Sequence, residues 1–268
     1  MDVSATRRAV VLSLGARLGG LAYPLTALAL VLGAWELWVR VGDVKPYVMT
    51  SFSDVIATCI RQSDLFLSDA FVTLTEALIG FAAAIVLGVA LAFLIVSSRF
   101  AERGLYPVVV AFHVVPVIAI APLLLIWFGY DLTPKVVIVT LITFFPIMVN
   151  AIIGMRATTR QELYLFRTMG AGPGLTFWQL RLRRALPQLF AGLKLASTLA
   201  LIGAVVAEFV SATEGLGYRI IEANGNLDTE KLMASVLYLG VAGILLYGAV
   251  ELAERFAIPW HASRRTQR

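Results

Sequence analysis

The chain has 268 residues and a net charge of +5, and 59% of its residues are apolar while only 15% are charged. Charged residues make up about a quarter of a typical soluble domain, so this composition excludes an ordinary soluble protein and indicates a membrane protein. The single cysteine, Cys59, excludes an internal disulfide, and the sequence contains no His-Glu-x-x-His or Gly-x-Ser-x-Gly pattern. We therefore expect no hydrolytic or redox active site in this chain.

Six stretches of the sequence are long and apolar enough to cross a bilayer, because ~30 Å of hydrocarbon is crossed at about 1.5 Å per helical residue. They are residues 21–39, 71–98, 105–128, 135–155, 193–213 and 232–253. The first is too long for the apolar part of a signal peptide and lacks a small-residue cleavage site, so we interpret it as a span. The pattern predicts an all-α membrane protein with about six transmembrane helices within residues 21–255.

A polar stretch, residues 43–69, separates the first two spans. Ser51 and Ser53 are suitable helix caps at its centre. The apolar residues that follow recur at helical spacing, namely Val55, Ile56, Cys59 and Ile60. This pattern predicts a short amphipathic helix that lies along the outer membrane interface.

Prolines 116, 122 and 146 lie within predicted spans. A proline removes a backbone donor and bends a helix, which suits a helix that lines a transport cavity. The alternative is an ordinary membrane-helix proline with no such role.

Ionisable side chains within the spans are the other candidates for function. A carboxylate such as Glu76 or Glu208 is costly in a span unless it faces a partner, a wet cavity or the outer interface. His113 is either a hydrogen-bonded interior histidine or a proton relay. The candidates for a translocation pathway or gate are His113, Pro116, Pro122, Asn150, Ser197 and Glu208.

The segment from Arg156 to about Pro187 is polar and rich in arginine. Its pattern predicts a helix over 161–169, a left-handed cap at Gly170, and a second helix over 175–184 that ends before Pro187. Such a helix pair would form a rigid knob, and the alternative is a basic loop that contacts anionic lipid. The glycines after position 169 lack the Gly-Lys-Ser/Thr ending of a phosphate-binding loop, so we expect no nucleotide site here.

The stretch 214–231 mixes glycines with polar residues and predicts a loop that closes one end of a pathway or simply faces water. Basic residues set the orientation: 16 of the 22 lysines and arginines fall on the side that holds both termini, and 6 fall on the other. This asymmetry predicts a cytoplasmic tail 1–20, a cytoplasmic loop 156–192 and a basic cytoplasmic tail 256–268. It also accounts for the net charge without a nucleic-acid partner.

Several ordered motifs resemble the ABC importer permeases, and in particular their nitrate/sulfonate/taurine branch. The resemblance covers about residues 45–255. In the cytoplasmic segment the motifs are Phe166-Arg167-Thr168-Met169-Gly170-Ala171, Leu180-Arg181-Leu182, Ala185-Leu186-Pro187 and Ala191-Gly192-Leu193-Lys194. Around it they are Pro116 to Pro122-Leu123, Leu125-Ile126-Trp127-Phe128-Gly129, Phe145-Pro146-Ile147, Ala207-Glu208-Phe209 and Gly215-Leu216-Gly217, with a looser match at Lys45-Pro46 and Ser53-Asp54-Val55.

The resemblance implies a type I ABC importer permease that docks on ATP-binding cassette ATPase subunits, which bind ATP and Mg²⁺, with no cofactor in this chain. The implied coupling residues are Tyr164, Phe166, Arg167, Gly170, Ala171, Leu186 and Pro187. It further implies a second copy of the permease across a two-fold axis and a soluble substrate-binding protein. The chain departs from the family pattern at Tyr164, Leu165, Phe166 and Arg183, and it carries Glu76 where the family usually has an arginine.

The function expected from these features is ATP-driven import of a small organic anion, such as a sulfonate, across the bacterial inner membrane by alternating access. A vitamin precursor or an aromatic acid is the alternative substrate. The alternative of another class is an ATP-independent secondary transporter or channel, which would favour internal repeats or intramembrane ion relays. We find no convincing repeat between the two halves of the sequence.

Overall fold

The computed structural model describes residues 23–259, and this part of the chain consists of α-helices and π-helical turns with no β-strand. The helices are α1 (Tyr23–Val41), α2 (Phe52–Arg61), α3 (Ser63–Ser97), α4 (Tyr106–Val114), α5 (Val117–Phe128), α6 (Leu132–Arg156), α7 (Arg160–Thr168), α8 (Pro173–Leu175), α9 (Leu182–Ser211), α10 (Leu216–Gly225) and α11 (Thr229–Ala257). The π-helical turns Ala101–Leu105 and Thr176–Arg181 lead into α4 and α9. The predicted tail 1–20 and most of the tail 256–268 lie outside the described residues.

The helices long and apolar enough to cross a bilayer match the predicted spans. Among residues 23–259, five helices pass alone, namely Tyr23–Val41, Ser63–Ser97, Leu132–Arg156, Pro173–Ser211 and Thr229–Ala257. A sixth span is the broken pair Ala101–Val114 and Val117–Phe128, whose axes differ by 96°. The prediction of an all-α membrane protein with about six spans is therefore confirmed.

The break in the third span lies at Pro116. Val115, just before it, is extended with ψ 124°, because the proline ring disfavours the helical conformation in the preceding residue. Pro116 then caps the start of α5. Pro122 and Pro146 lie inside α5 and α6 instead.

The predicted end of a helix before Pro187 is wrong. Helical structure runs without a break from Pro173 to Ser211, and Pro187 lies inside α9. The reason is tertiary packing, because α9 packs closely against α6 near Pro187. A Cβ added to Gly154 of α6 would lie 2.8 Å from the Cα of Ala185. This contact holds the backbone around Pro187 in a helical path that proline alone disfavours.

Small residues let α3, α6 and α9 approach closely along their length. A side chain at Gly88 would collide with Phe144 and Ile147, and one at Gly192 would collide with Asn150. Their neighbours form one apolar core that includes Ala84, Ile147, Ala151, Ala196 and Ala200. Close approach through glycine and alanine is typical of helices that associate within a membrane.

The chain divides into two compact units. One contains the described residues up to Ser63 together with Ala223–Ala234, and the other contains Asp64–Glu222 and the residues from Ser235 onward. In the first unit α2 is the helix predicted within residues 43–69. Ser51 caps it by accepting a hydrogen bond from the Asp54 N–H at 3.3 Å. The Ser53 hydroxyl instead accepts a hydrogen bond from the Arg40 guanidinium, and the Ser53 N–H donates to the Glu36 carboxylate. Its buried residues are Val55, Thr58 and Cys59, while Ile60 is exposed.

Candidate functional site

The arginine-rich segment, residues 156–192, begins with a well-capped helix. Thr159 accepts the Glu162 N–H at 3.3 Å, and the Glu162 carboxylate accepts the Thr159 N–H at 2.9 Å. This reciprocal pair is a capping box, which fixes where α7 starts. Glu162 also pairs with Arg184 at the start of α9. The ion pair therefore ties the two helical arms of the segment together.

Gly170 ends α7 as predicted, in the left-handed conformation with φ +75°. The Gly170 N–H donates to the Arg167 carbonyl at 3.0 Å, and the Ala171 N–H donates to the Phe166 carbonyl at 2.9 Å. These are the two hydrogen bonds of a Schellman motif. The turn between the arms is therefore held by backbone bonds and by a conformation that favours glycine.

The surface of this segment carries large apolar side chains in an otherwise charged setting. Tyr164 is 62% exposed, Met169 74% and Trp178 66%. Of the other predicted coupling residues, Arg167 and Gly170 are exposed, and Phe166, Ala171, Leu186 and Pro187 are half-buried. Exposed apolar groups with a polar rim are typical of a surface that binds another protein.

A second polar site lies at the other end of α9, and we call it the α10 clamp. It consists of Asp69 and Thr73 from α3, Glu208 from α9, and residues 215–219, where α10 begins. Glu208 is 1% exposed. Its carboxylate accepts from the Thr73 hydroxyl at 2.6 Å and from the Gly217 N–H at 2.5 Å.

The α10 clamp satisfies the backbone donors at the start of α10. The Gly215 N–H donates to Asp69 at 3.1 Å, and the Leu216 N–H donates to Thr73 at 2.9 Å. The next two N–H groups, of Gly217 and Tyr218, both donate to Glu208. The first four N–H groups of a helix have no partner within the helix, and here side chains of α3 and α9 supply all four. The carboxylates also face the positive end of the helix dipole.

The spacing of Glu208, Gly215 and Gly217 follows from this geometry. A Cβ on Gly215 would lie 2.5 Å from the Glu208 carboxylate, and one on Gly217 would lie 2.7 Å from it. Gly215 also has φ +110°, which L side chains rarely adopt. The Glu208 carboxylate can reach the backbone here only because no side chain intervenes at these two glycines. The stretch 214–231, which we expected to be a loop, is largely the helix α10. The prediction of a loop was wrong.

Three ion pairs extend the α10 clamp. Arg219 donates to Asp69 at 2.8 Å and to Glu222 at 2.5 Å. Lys135 of α6 lies 2.5 Å from Glu76 of α3, and both side chains are buried. The negative charge of Glu76 is thus neutralised by a lysine on a neighbouring helix.

The six candidate pathway residues do not share one place. His113, Pro116 and Pro122 are exposed in the single subunit, and the His113 ring stacks on Phe145 with centroids 3.9 Å apart. His113 is therefore not enclosed within one subunit, and the choice between an interior histidine and a proton relay stays a prediction.

The other three lie inside the subunit. Asn150 accepts from Gln188 at 2.8 Å, Ser197 donates to the Lys194 carbonyl at 2.7 Å, and Glu208 belongs to the α10 clamp. Glu208 therefore faces partners within the subunit, one of the surroundings in which a carboxylate is tolerated in a span, and its place in the pathway stays a prediction.

Four residues of this site were not predicted from the sequence, namely Asp69, Thr73, Lys135 and Arg219. Asp69, Thr73 and Glu76 recur at spacings of four and three, so they share one face at the start of α3. That polar stripe on an apolar helix was a usable signal. Lys135 carries no such local pattern, since Glu76 is distant in sequence. Arg219 has a local partner in Glu222, three residues on, but its contact with Asp69 joins distant parts of the chain.

Residues 84–258 match the family described as "Binding-protein-dependent transport system inner membrane component". The formylaminopyrimidine transport permease protein ThiX of Halalkalibacterium halodurans is 38% identical over 227 residues, which is 84% of this chain and 90% of that protein. The riboflavin transport system permease protein RibX of Chloroflexus aurantiacus is 34% identical over 245 residues, 91% of each chain. The putative aliphatic sulfonates transport permease protein SsuC of Bacillus subtilis is 28% identical over 238 residues, 88% of this chain and 86% of that protein.

Proposed function

This chain belongs to the family of inner-membrane components of binding-protein-dependent transport systems, and we propose that it forms half of the pathway of an ATP-driven importer. It is a multi-pass membrane permease of the ABC importer class. The family implies two kinds of partner, an ATP-hydrolysing subunit and a soluble substrate-binding protein. A second copy of this chain completes the pathway across a two-fold axis.

The observation that carries the proposal is the surface of the arginine-rich segment. Its turn is held by a capping box and a Schellman motif, while Tyr164, Met169 and Trp178 remain exposed. A rigid knob with exposed apolar side chains suits a groove on an ATPase subunit. That subunit binds ATP and Mg²⁺ and hydrolyses the ATP. In the contact with the ATPase, this chain contributes the docking surface.

A continuous helix connects this surface to the α10 clamp. The helical stretch Pro173–Ser211 starts in the docking segment and ends beside Glu208. A helix of 39 residues is about 58 Å long at about 1.5 Å per residue, so it spans the bilayer with length to spare. When the ATPase subunits close, movement of the knob tilts this helix and displaces the clamp that holds α10. Alternating access follows from that coupled movement.

The orientation of the chain is part of the proposal, because the knob must face the ATPase in the cytoplasm. The basic-residue asymmetry supports this orientation. In a Cys59→Ser background, cysteines at Thr176 and Asn226 should react with a membrane-impermeant maleimide from opposite sides. Labelling of position 176 in intact cells, with position 226 reactive only after lysis, would invert the topology and exclude docking on a cytoplasmic ATPase.

For the substrate we propose a small organic molecule, with an organic sulfonate as the first candidate. A relative named for aliphatic sulfonates supports this choice. A vitamin precursor of heterocyclic type is the second candidate. Relatives named for formylaminopyrimidine and riboflavin favour it. The ion pairs of two lysines in the spans also favour a vitamin precursor. Lys135 pairs with Glu76 and Lys194 pairs with Glu254, so neither positive charge is left to bind an anionic substrate.

Reconstitution tests the function directly. The permease, its ATPase and its binding protein in proteoliposomes should import substrate only with ATP and the binding protein present. Import by the permease alone, without ATP, would establish the secondary-transporter alternative. A thermal-shift screen of the binding protein against taurine, alkanesulfonates, formylaminopyrimidine and riboflavin would separate the two substrate candidates.

A further inference from the structure

A groove of about 970 Å³ lies between the last third of α3 and the arginine-rich segment. Its volume is at the upper end of the range for ligand pockets, ~300–1,000 Å³. The groove is open along one side, since Val86 and Trp178 in its lining are largely exposed. Phe93 of α3 and Phe177 of the segment join the two walls, with ring centroids 4.4 Å apart.

The two walls differ in chemistry. The α3 wall is apolar, contributes Ile85, Val89 and Phe93, and belongs to a membrane span. The opposite wall contributes Arg167 and Arg181, and the lining contains no acidic residue. An apolar wall facing two guanidinium groups is complementary to an anionic amphiphile.

The two arginines are distinguished from their neighbours by their ion pairs. Arg156 and Arg184 of the same segment pair with Glu102 and Glu162. No carboxylate of residues 23–259 pairs with Arg167 or Arg181. Guanidinium groups bind phosphate oxygens in a bidentate geometry, and basic pockets beside membrane helices bind anionic headgroups.

We propose that this groove binds one anionic phospholipid of the bilayer. Arg167 and Arg181 hold the phosphate, and an acyl chain lies along Ile85, Val89 and Phe93. This phospholipid comes from the membrane leaflet that surrounds α3, so it is present at high local concentration. The bound headgroup then lies beside the surface proposed to dock the ATPase, but lipid binding itself needs neither ATP nor a partner.

Native mass spectrometry of the purified, delipidated chain tests this site. Phosphatidylglycerol and phosphatidylcholine with the same acyl chains are titrated separately. We expect phosphatidylglycerol to bind at least tenfold more tightly. The double variant R167Q/R181Q should lose this preference, by about thirtyfold, because each of the two basic groups near an anionic lipid contributes about 1 kcal/mol and every 1.4 kcal/mol is about tenfold in affinity.

The matched control is R160Q/R183Q, which removes the same charge from two exposed arginines of the segment that do not line the groove. It should keep the preference. Ala90→Trp fills the apolar part of the groove and should weaken binding of both lipids, whereas Ala83→Trp, exposed on the same helix outside the groove, should not.

Three results would overturn the proposal. One is equal affinity of the native chain for the two lipids. Another is an equal loss of the preference for phosphatidylglycerol in R167Q/R181Q and R160Q/R183Q, which would show that the total charge of the segment, and not the groove, attracts the lipid. The third is efficient disulfide formation between two copies of Val86→Cys in a Cys59→Ser background. That result would assign the groove to the interface with a second copy. None of these outcomes depends on whether the chain transports substrate with ATP.

Discussion

The arginine-rich segment and the α10 clamp use the same local devices in opposite surroundings. Each has a carboxylate that caps a helix, Glu162 in the segment and Glu208 in the clamp, and each has a glycine with positive φ, Gly170 and Gly215. Glu162 and its partners are in contact with solvent, whereas Glu208 and Asp69 are buried. The segment therefore exposes its side chains to the ATPase partner proposed above, whereas the clamp finds its partners within the chain.

This difference in burial predicts different responses to mutation. A cap at a surface contributes about 1 kcal/mol, because water can replace a lost hydrogen bond. A buried donor or charge left without a partner costs several times more, because nothing replaces the partner. Substitutions in the clamp should thus affect folding stability, and those in the segment should mainly affect coupling to the ATPase.

The buried ion pair next to the clamp should give the largest effect on stability. Lys135→Met leaves the Glu76 carboxylate buried without its cation, so the free energy of unfolding should fall by about 3–5 kcal/mol. Thermal unfolding in detergent, followed by tryptophan fluorescence, measures the change. The control is E76Q/K135M, which removes both charges and should recover most of the loss. Equal destabilisation of the single and double variants would contradict the argument from an unpaired charge.

The glycine requirement of the clamp should give the next largest effect. In Gly217→Ala the new methyl group meets the Glu208 carboxylate, so the start of α10 must shift, at a cost of about 2 kcal/mol. Gly225→Ala at the end of the same helix is the matched control, since open space surrounds that position, and it should be neutral or slightly stabilising. The midpoint of thermal unfolding compares them. If both variants unfold at the same temperature, Glu208 does not require a glycine at position 217.

A substitution in the arginine-rich segment should reduce the coupling of ATP hydrolysis to transport more than it reduces folding stability. Gly170→Val strains the left-handed turn by about 1–2 kcal/mol and misplaces the second arm of the knob. We expect transport in proteoliposomes and stimulated ATP hydrolysis to fall together, while the spans unfold at an unchanged temperature. Gly172→Val is the control, because Gly172 has an extended conformation with free space around it. Normal transport by the Gly170 variant would remove the segment as the dock.

The smallest expected effect is on the reactivity of Cys59. This residue lies outside both regions and tests whether burial alters the chemistry of a side chain there as well. Burial raises the pKa of its thiol, so less reactive thiolate is present at neutral pH. Its maleimide reaction should be slower than that of a cysteine at the exposed position Ala57 in a Cys59→Ser background. The Cys59 rate should also continue to rise at a pH where the Ala57→Cys rate has levelled. Matching rate profiles from pH 7 to about 10 would show that the thiol is accessible.

Local features of the chain were sufficient to predict much of this structure. The spans follow from length and hydropathy, the start of α2 follows from Ser51, and the left-handed turn follows from Gly170. Each depends on residues within a few positions of one another. The family could also be identified from ordered motifs, although the roles of the matched residues could not.

Tertiary structure decided the rest, because the deciding contacts join residues far apart in sequence. α10 is a helix because Asp69, Thr73 and Glu208 supply the partners of its first N–H groups, and its own glycines suggest a loop. α9 passes through Pro187 where it packs on Gly154. Glu76 is tolerated within a span only because Lys135 of another helix lies beside it. Sequence determined which segments enter the bilayer, and packing determined which of their polar groups meet.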